Sequence, residues 1–180
     1  MFRASWGCLA TSLAPVLLAC GAHAVSRPLP SYAGHAMELF DDAIEARAVG
    51  LDLDTPIDPR TDAKLRERVQ VGDAAVRVRV STVTEKAEDS GTGFVVGFQA
   101  LEQLAGPYPP GGEFSIVVRS DSPSSGILKG FQGRLMGKTF VVFVRSFVRP
   151  DGDAETHFHL APDTKEERAA VREAAAKTAF

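Results

Sequence analysis

Between His35 and Val49 apolar residues recur every three or four positions: Met37, Phe40, Ile44 and Ala48 share one stripe, and Glu38, Asp41, Asp42 and Glu45 fall away from it. That period predicts an amphipathic helix, with Gly50 placed to stop it. A second, shorter helix is expected in TDAKLRERVQ, opened by Asp58 as cap and Pro59 at the first helical position and buried along Leu65 and Val69. The period then shortens to two. In AVRVRV, Val76, Val78 and Val80 share one face and Arg77 and Arg79 the other, and GFVVGFQAL repeats the alternation with Phe94, Val96, Phe98 and Ala100. GPYPPGG separates this strand from EFSIVV, where Phe114, Ile116 and Val118 alternate with polar or outward positions. SDSPSSGILKGFQGRLMGK then interrupts the strands, with Ile127, Leu128, Phe131 and Leu135 able to seat a short irregular helix. TFVVFVRSFV and ETHFHL flank the turn Pro150-Asp151-Gly152-Asp153 and read as a hairpin. A final helix begins near Asp163 and Glu166, whose spacing suits a capping box, and carries the stripe Val171, Ala174, Ala175 and Thr178.

The pattern therefore predicts an α+β, mainly β chain: two short N-terminal helices, five antiparallel strands with a non-strand insert after the third, and a C-terminal helix. Three strands, an insert and two strands is the order of a Greek-key OB-like barrel, which would also hide the edges of such apolar strands. At 180 residues and 44% hydrophobic composition the chain supports one sizeable core. The formal net charge of −3 gives no global field toward nucleic acid or anionic lipid. Eleven Phe against two Tyr and one Trp describe an apolar interior more than a stacking surface for sugars.

The N-terminus changes the picture. One charge at Arg3 precedes an apolar run too short to span a bilayer, which reads as an export signal. Leu17-Leu18-Ala19-Cys20 resembles the lipobox of bacterial lipoproteins, which implies that Cys20 is acylated and becomes the first mature residue. Ala22-His23-Ala24 offers a competing cut before Val25. Either cut discards Cys8 and leaves no intramolecular disulfide. The expected organisation is a signal peptide over 1–19, a lipidated spacer over 20–34, a helical segment over 35–72, the barrel over 73–160 and the C-terminal helix over 161–180. The address is the bacterial cell envelope, with an outer-membrane location preferred because Gly21, and not Asp, follows the cysteine; a soluble periplasmic or secreted form beginning at Val25 is the alternative.

FQALEQLAGPYPPGGEFSIVV resembles the passage between the second and third strands of netrin-like domains, the OB-type barrels of tissue inhibitors of metalloproteases, and GKTFVVFVRS resembles their strand after a Gly-Lys turn. The resemblance covers about Asp73 to Leu160 and implies the barrel. Those inhibitors use a free N-terminal cysteine and disulfides, which this chain lacks, so inhibition of a metalloprotease is not carried over.

His157 and His159 form the best candidate metal pair, because residues two apart on a strand face the same way and Asp151, Asp153 and Glu155 lie nearby. The competing reading makes them ordinary histidines on an exposed strand face or under the last helix. Asp52, Asp54 and Asp58 have the density of a calcium loop but lack its central Gly and terminal Glu, and capping explains them better. Arg77, Arg79, Arg119 and Arg145 are read as a solvated or ion-paired face; an exported protein with few aromatics is not expected to bind nucleic acid. The serines of SDSPSSG lack a nucleophile elbow, and neither histidine has a carboxylate in sequence that obviously orients it. Nothing calls for a cofactor. The expectation is a non-catalytic binding or assembly module, attached to the membrane by its lipid and meeting an envelope protein or glycan; the alternative is a small metal-binding protein or metal-dependent enzyme centred on His157 and His159.

Overall fold

A computed structural model describes residues 28–51, 58–107 and 112–178. Cys8, Cys20 and Ala24, and with them the signal peptide, the lipidation site and most of the spacer, lie outside the described residues, as do Asp52 and Asp54.

In chain order the elements are helix α1 (Ala36–Leu39), strand β1 (Ala43–Ile44), a 3₁₀ turn (Ala46–Val49), α2 (Ala63–Val71), β2 (Ala74–Glu88), β3 (Gly91–Ala105), β4 (Glu113–Val118), α3 (Pro123–Leu135), β5 (Thr139–Val148), β6 (Ala154–Pro162) and α4 (Lys165–Thr178). The six strands form one sheet in the order β1-β6-β5-β2-β3-β4. β1 runs parallel to β6, and the other pairs are antiparallel. The α+β, mainly sheet class is thus as expected. Alternation also places the faces as predicted: Val76, Val78 and Val80 join Phe94, Val96, Phe98, Ile116, Val118, Phe140, Val142, Phe158 and Leu160 in one core, into which α3 packs Leu128 and Leu135. The opposite face of β5 carries Val141, Phe143 and Phe147, covered by Leu39 and Phe40, Leu65 of α2, and Ala170 and Val171 of α4. β5 is therefore buried on both sides, which is why TFVVFV reads as a continuous apolar run.

The sheet does not close into a five-stranded barrel. Closure would need the free edge of β6 to meet β4, but that edge is taken by β1, where Ala43 pairs with His159 and Ile44 with Leu160. Alternating side chains specify which face is buried and leave closure open, so the sequence pattern is compatible with either outcome. The sheet curls instead, bringing Ile116 and Val118 of β4 and Phe158 and Leu160 of β6 around one small apolar cavity of ≈ 10 Å³.

β1 exists because the first predicted helix breaks. Its stripe is right at Phe40 and Ile44, which are buried, and wrong at Met37, which is 50% exposed. Helix hydrogen bonds give way after Leu39 to bonds across the chain: Asp42 N donates to Phe158 O (2.9 Å) and Glu45 N to Leu160 O (2.9 Å). Asp41 Oδ1 accepts from Ala43 N at 3.3 Å, and Asp42 takes a left-handed φ of 51° that Asp tolerates better than most residues. Gly50, left-handed at φ 76°, ends the 3₁₀ turn where a stop was expected.

Two caps are displaced. Asp62 caps α2 by accepting from Lys64 N at 2.8 Å, and Asp58 organises the preceding turn through Arg60 N. Thr164 Oγ1 accepts from Glu167 N at 3.0 Å at the start of α4, because Asp163 is occupied by Arg77 (2.8 Å) and Arg168. The buried stripe of α4 is Glu167, Ala170, Val171 and Ala174, and Thr178 is exposed. Leu39 of α1, Leu65 of α2 and Ala170 and Val171 of α4 pack together against the second face of the sheet, while Ile44 and Val49, between α1 and α2, turn into the first core.

Candidate functional site

Along β6 the alternation sends Phe158 and Leu160 into the first core and His157 and His159 to the other face. Each histidine is only 5% exposed, so neither lies on an open strand surface. Their cover is the segment from Tyr32 to Glu45. By breaking its helix and pairing as β1, that segment sets Asp41, Asp42 and Glu45 beside the two imidazoles.

His159 is gripped at both nitrogens, Nδ1 by Asp41 Oδ1 (2.8 Å) and Nε2 by Glu45 Oε1 (3.0 Å). Ionised carboxylates only accept, so an imidazole bonded to two of them carries both protons. Burial opposes that charge, but the bonds to Asp41 and Glu45 prevail and the basicity of His159 is raised. The same burial works against the two carboxylates, and their bonds to His159 bring both below the ordinary range. The group extends to Arg68, whose Nε donates to Leu39 O at 2.7 Å from a buried position, and to Glu167 of α4, 3% exposed. Burial first, and the charge of Glu45 second, push Glu167 up to about 7.

His157 is held differently. Its Nδ1 lies 2.7 Å from Asp42 Oδ2, and Asp42 Oδ1 accepts from Phe158 N at 3.1 Å. Both carboxylate oxygens are thus engaged and Nδ1 is the donor. Tyr32 stacks flat on the imidazole, its hydroxyl donating to Phe40 O at 2.7 Å, and Phe147 meets the ring edge-on. Burial, then the charges of Asp42, Asp41 and Glu155, push the Tyr32 phenol up to about 12. His157 Nε2 is buried and makes no hydrogen bond. Glu155 Oε2 stands 3.7 Å from it, beyond hydrogen-bond length.

His157 lines an open cleft of ≈ 340 Å³ between Ser31 and Tyr32 on one side and Arg119, Arg149 and Glu155 on the other, with its Nε2 closed off from solvent beneath that surface. The volume lies within the roughly 300–1,000 Å³ typical of small-ligand sites. A second, more polar depression of ≈ 610 Å³ shares Arg119, Arg149 and Glu155 and runs on over Lys86, Ser115 and Thr156.

The sequence singled out both histidines but not the residues that orient them. Asp41, Asp42 and Glu45 read as the polar face of a helix. Their only advance sign was the doublet Asp41-Asp42 directly after buried Phe40, a combination suited to breaking a helix. Arg68 and Glu167 gave no sign, since polar residues on an amphipathic helix are ordinarily solvent-facing. The structure does not give the histidines a common vacant coordination point, because His159 spends both nitrogens on its carboxylates. Among the described residues no group of three or more His, Cys, Asp or Glu is placed to hold a metal ion. Ser122 caps α3 and Ser124 Oγ donates to the backbone O of Asp42, so this serine loop braces the chain at the residue behind His157. The four arginines do not form one face: Arg77 binds Asp163, Arg145 lies over the Phe147 ring, and Arg119 reaches the cleft. Among the described residues no helix is long and apolar enough to cross a membrane.

No protein-family model matches the chain, and no curated protein matches it.

Proposed function

We propose that this protein is a non-catalytic binding module of the bacterial cell envelope, anchored by a lipid on Cys20, and that the cleft beside Tyr32 and His157 is its binding surface. One observation carries the second half of the reading. A buried imidazole that lines a cleft, fixed through Nδ1 and with Nε2 left unpartnered just beneath the surface, is a recognition group with its orientation already set. The Leu17-Leu18-Ala19-Cys20 pattern supports the anchor, and the near-neutral charge of −3 supplies no electrostatic substitute for one. An outer-membrane address and an envelope protein or glycan as partner remain part of the proposal, with processing before Val25 as its alternative.

A metal-binding reading centred on His157 retains one specific point in its favour: Asp42 on Nδ1 is the kind of carboxylate that orients a metal-bound imidazole. Against it stand the commitment of His159 elsewhere and the two arginines lining the cleft.

The anchor is tested by the intact mass of the protein purified from membranes. A diacylated, N-acylated chain beginning at Cys20 is expected, lost in Cys20→Ser; an unmodified chain beginning at Val25 refutes it. The binding surface is tested by comparing envelope components retained by the wild-type chain and by Ser31→Trp, which fills the rim of the cleft. Components lost selectively in the variant support the reading, and identical retention refutes it.

A further inference from the structure

Three features of the cleft bear on the chemistry of its ligand, an inference that rests on the cleft being the binding surface. The first is the unpartnered Nε2 of His157, in a side chain only 6% exposed. The second is the pair Arg119 and Arg149, whose guanidinium groups line the same space and are held only at longer range: Arg119 to Asp121 at 3.3 Å, Arg149 to Asp151 at 3.4 Å and to Glu155 at 3.8 Å. The third is the position of Glu155. A single oxygen, Oε2, stands 3.7 Å from His157 Nε2 and 3.8 Å from Arg149 Nε. Charge-assisted bonds of this type close to about 2.7–2.9 Å. Glu155 is tethered near the start of β6 and holds a carboxylate oxygen between His157 Nε2 and Arg149 Nε without reaching either.

We infer that the cleft binds a small oxyanion, a carboxylate or phosphate group, between His157 Nε2–H and the Arg149 and Arg119 guanidinium groups, displacing the Glu155 carboxylate that mimics it. An untethered anion satisfies both donors at normal bond lengths. Asp42, whose two oxygens hold His157 Nδ1 and Phe158 N, keeps the ring oriented with Nε2 as its one uncommitted nitrogen. The remaining groups facing the ring, Tyr32 and Phe147, are flat and pack against its face and edge, so they fix its plane without competing for the anion. Two arginines against one carboxylate in the wall favour an anion over a cation.

The test uses the full chain in detergent micelles, labelled with ¹⁵N-histidine, at alkaline pH and constant ionic strength set with chloride. Inorganic phosphate and succinate are added in separate titrations, with zinc ion as a third. A saturable shift of the His157 side-chain ¹⁵N resonances, with those of His159 unmoved, is expected with at least one anion. Phosphate alone points to phosphate-bearing ligands and succinate alone to carboxylates. Arg149→Met, a change at an exposed turn side chain, should weaken the affinity about tenfold or more, the effect of losing one charge-assisted bond. Glu155→Gln should tighten it, because the internal competitor is gone. A response unchanged by Arg149→Met overturns the inference. A response to zinc with neither anion active overturns the anion class and leaves the cleft as a binding surface. Silence toward all three, together with unchanged envelope retention in Ser31→Trp, overturns both readings.

Discussion

Tyr32 lies flat on the imidazole of His157, ring centroids 3.5 Å apart and planes 9° from parallel. The stack joins the segment leading into α1 to β6, and the Tyr32 hydroxyl ties the same ring to Phe40 O. Removing only the hydroxyl should therefore cost less than removing the ring. Tyr32→Phe is expected to lose about 1 kcal/mol, one hydrogen bond, and Tyr32→Ala about 3 kcal/mol with the lost packing. Urea denaturation at neutral pH measures both. Equal losses would mean that the ring contributes no packing. In a spectrophotometric titration the Tyr32 phenol should ionise at about 12.

Asp42 performs three tasks at one position: it turns the chain at φ 51°, bonds His157 Nδ1 and accepts from Phe158 N. Asparagine can keep the turn and the bond to Phe158 N but brings no charge. Asp42→Asn should cost about 1.5–3 kcal/mol, the range for a hydrogen bond to a charged group. Asp42→Ala loses both acceptors and the short polar side chain that lets Asp or Asn tolerate left-handed backbone, a cost of about 1–2 kcal/mol for other residues, so it should be clearly the worse of the two. Thermal denaturation of the pair decides the matter, and an equal effect would show that the left-handed turn carries no constraint.

The strands were readable because alternation depends on one dimension only: Val78 and Phe158 must face a core wherever their strand goes. The joining of strands was not readable. Ala43 and Ile44 look helical by spacing, and only their bonds to β6, 115 or so positions away, turn them into the edge strand that prevents closure. The site follows the same division. His157 and His159 stood out as a same-face pair, whereas the carboxylates that decide their chemistry arrive through that long-range pairing. Glu167 was hidden for a further reason: a polar residue in an Ala-rich helix gives no local hint that its face is the buried one.

The core register makes a sharper prediction once partners are known. Val78 is 0% exposed, so Val78→Asp buries an unpaired charge and should destabilise by several kcal/mol, on the order of 4 or more. Arg79, exposed on the other face, should tolerate Asp within about 0.5 kcal/mol. Arg77 will not, although it shares that face. It pairs with Asp163, whose side chain is 4% exposed, and Arg77→Asp sets two carboxylates together at the start of α4. A loss between those of the other two variants, in chemical denaturation, is expected. An innocuous Arg77→Asp would mean that the pair is not maintained in solution.

Glu167 and His159 together predict how stability depends on pH. Burial and then Glu45 lift the Glu167 carboxyl from an ordinary 4.5 to about 7, with Arg47, Asp62, His159 and Arg68 also acting on it. Between those values the folded chain holds a proton that the unfolded chain has released. The native state therefore loses stability as pH rises through that interval, by something of order 3 kcal/mol for a shift of this size. His159, its basicity raised by Asp41 and Glu45, acts in the same direction: its contribution is complete below the ordinary imidazole range and is lost as pH rises through its higher folded value. Asp41 and Glu45 have the opposite sign, since their depressed values add stability that disappears only when pH falls below the usual carboxylate range. From about pH 5 to pH 8 the first two groups control the slope, and Tm should fall. Glu167→Gln, uncharged throughout, should flatten most of that fall and be more stable than the wild type at pH 8, whereas Glu166→Gln, one position away and exposed, should leave the profile unchanged. A wild-type Tm that climbs across this interval would mean that Glu167 is ionised in the folded protein and that the α4 layer is stabilised by its charge.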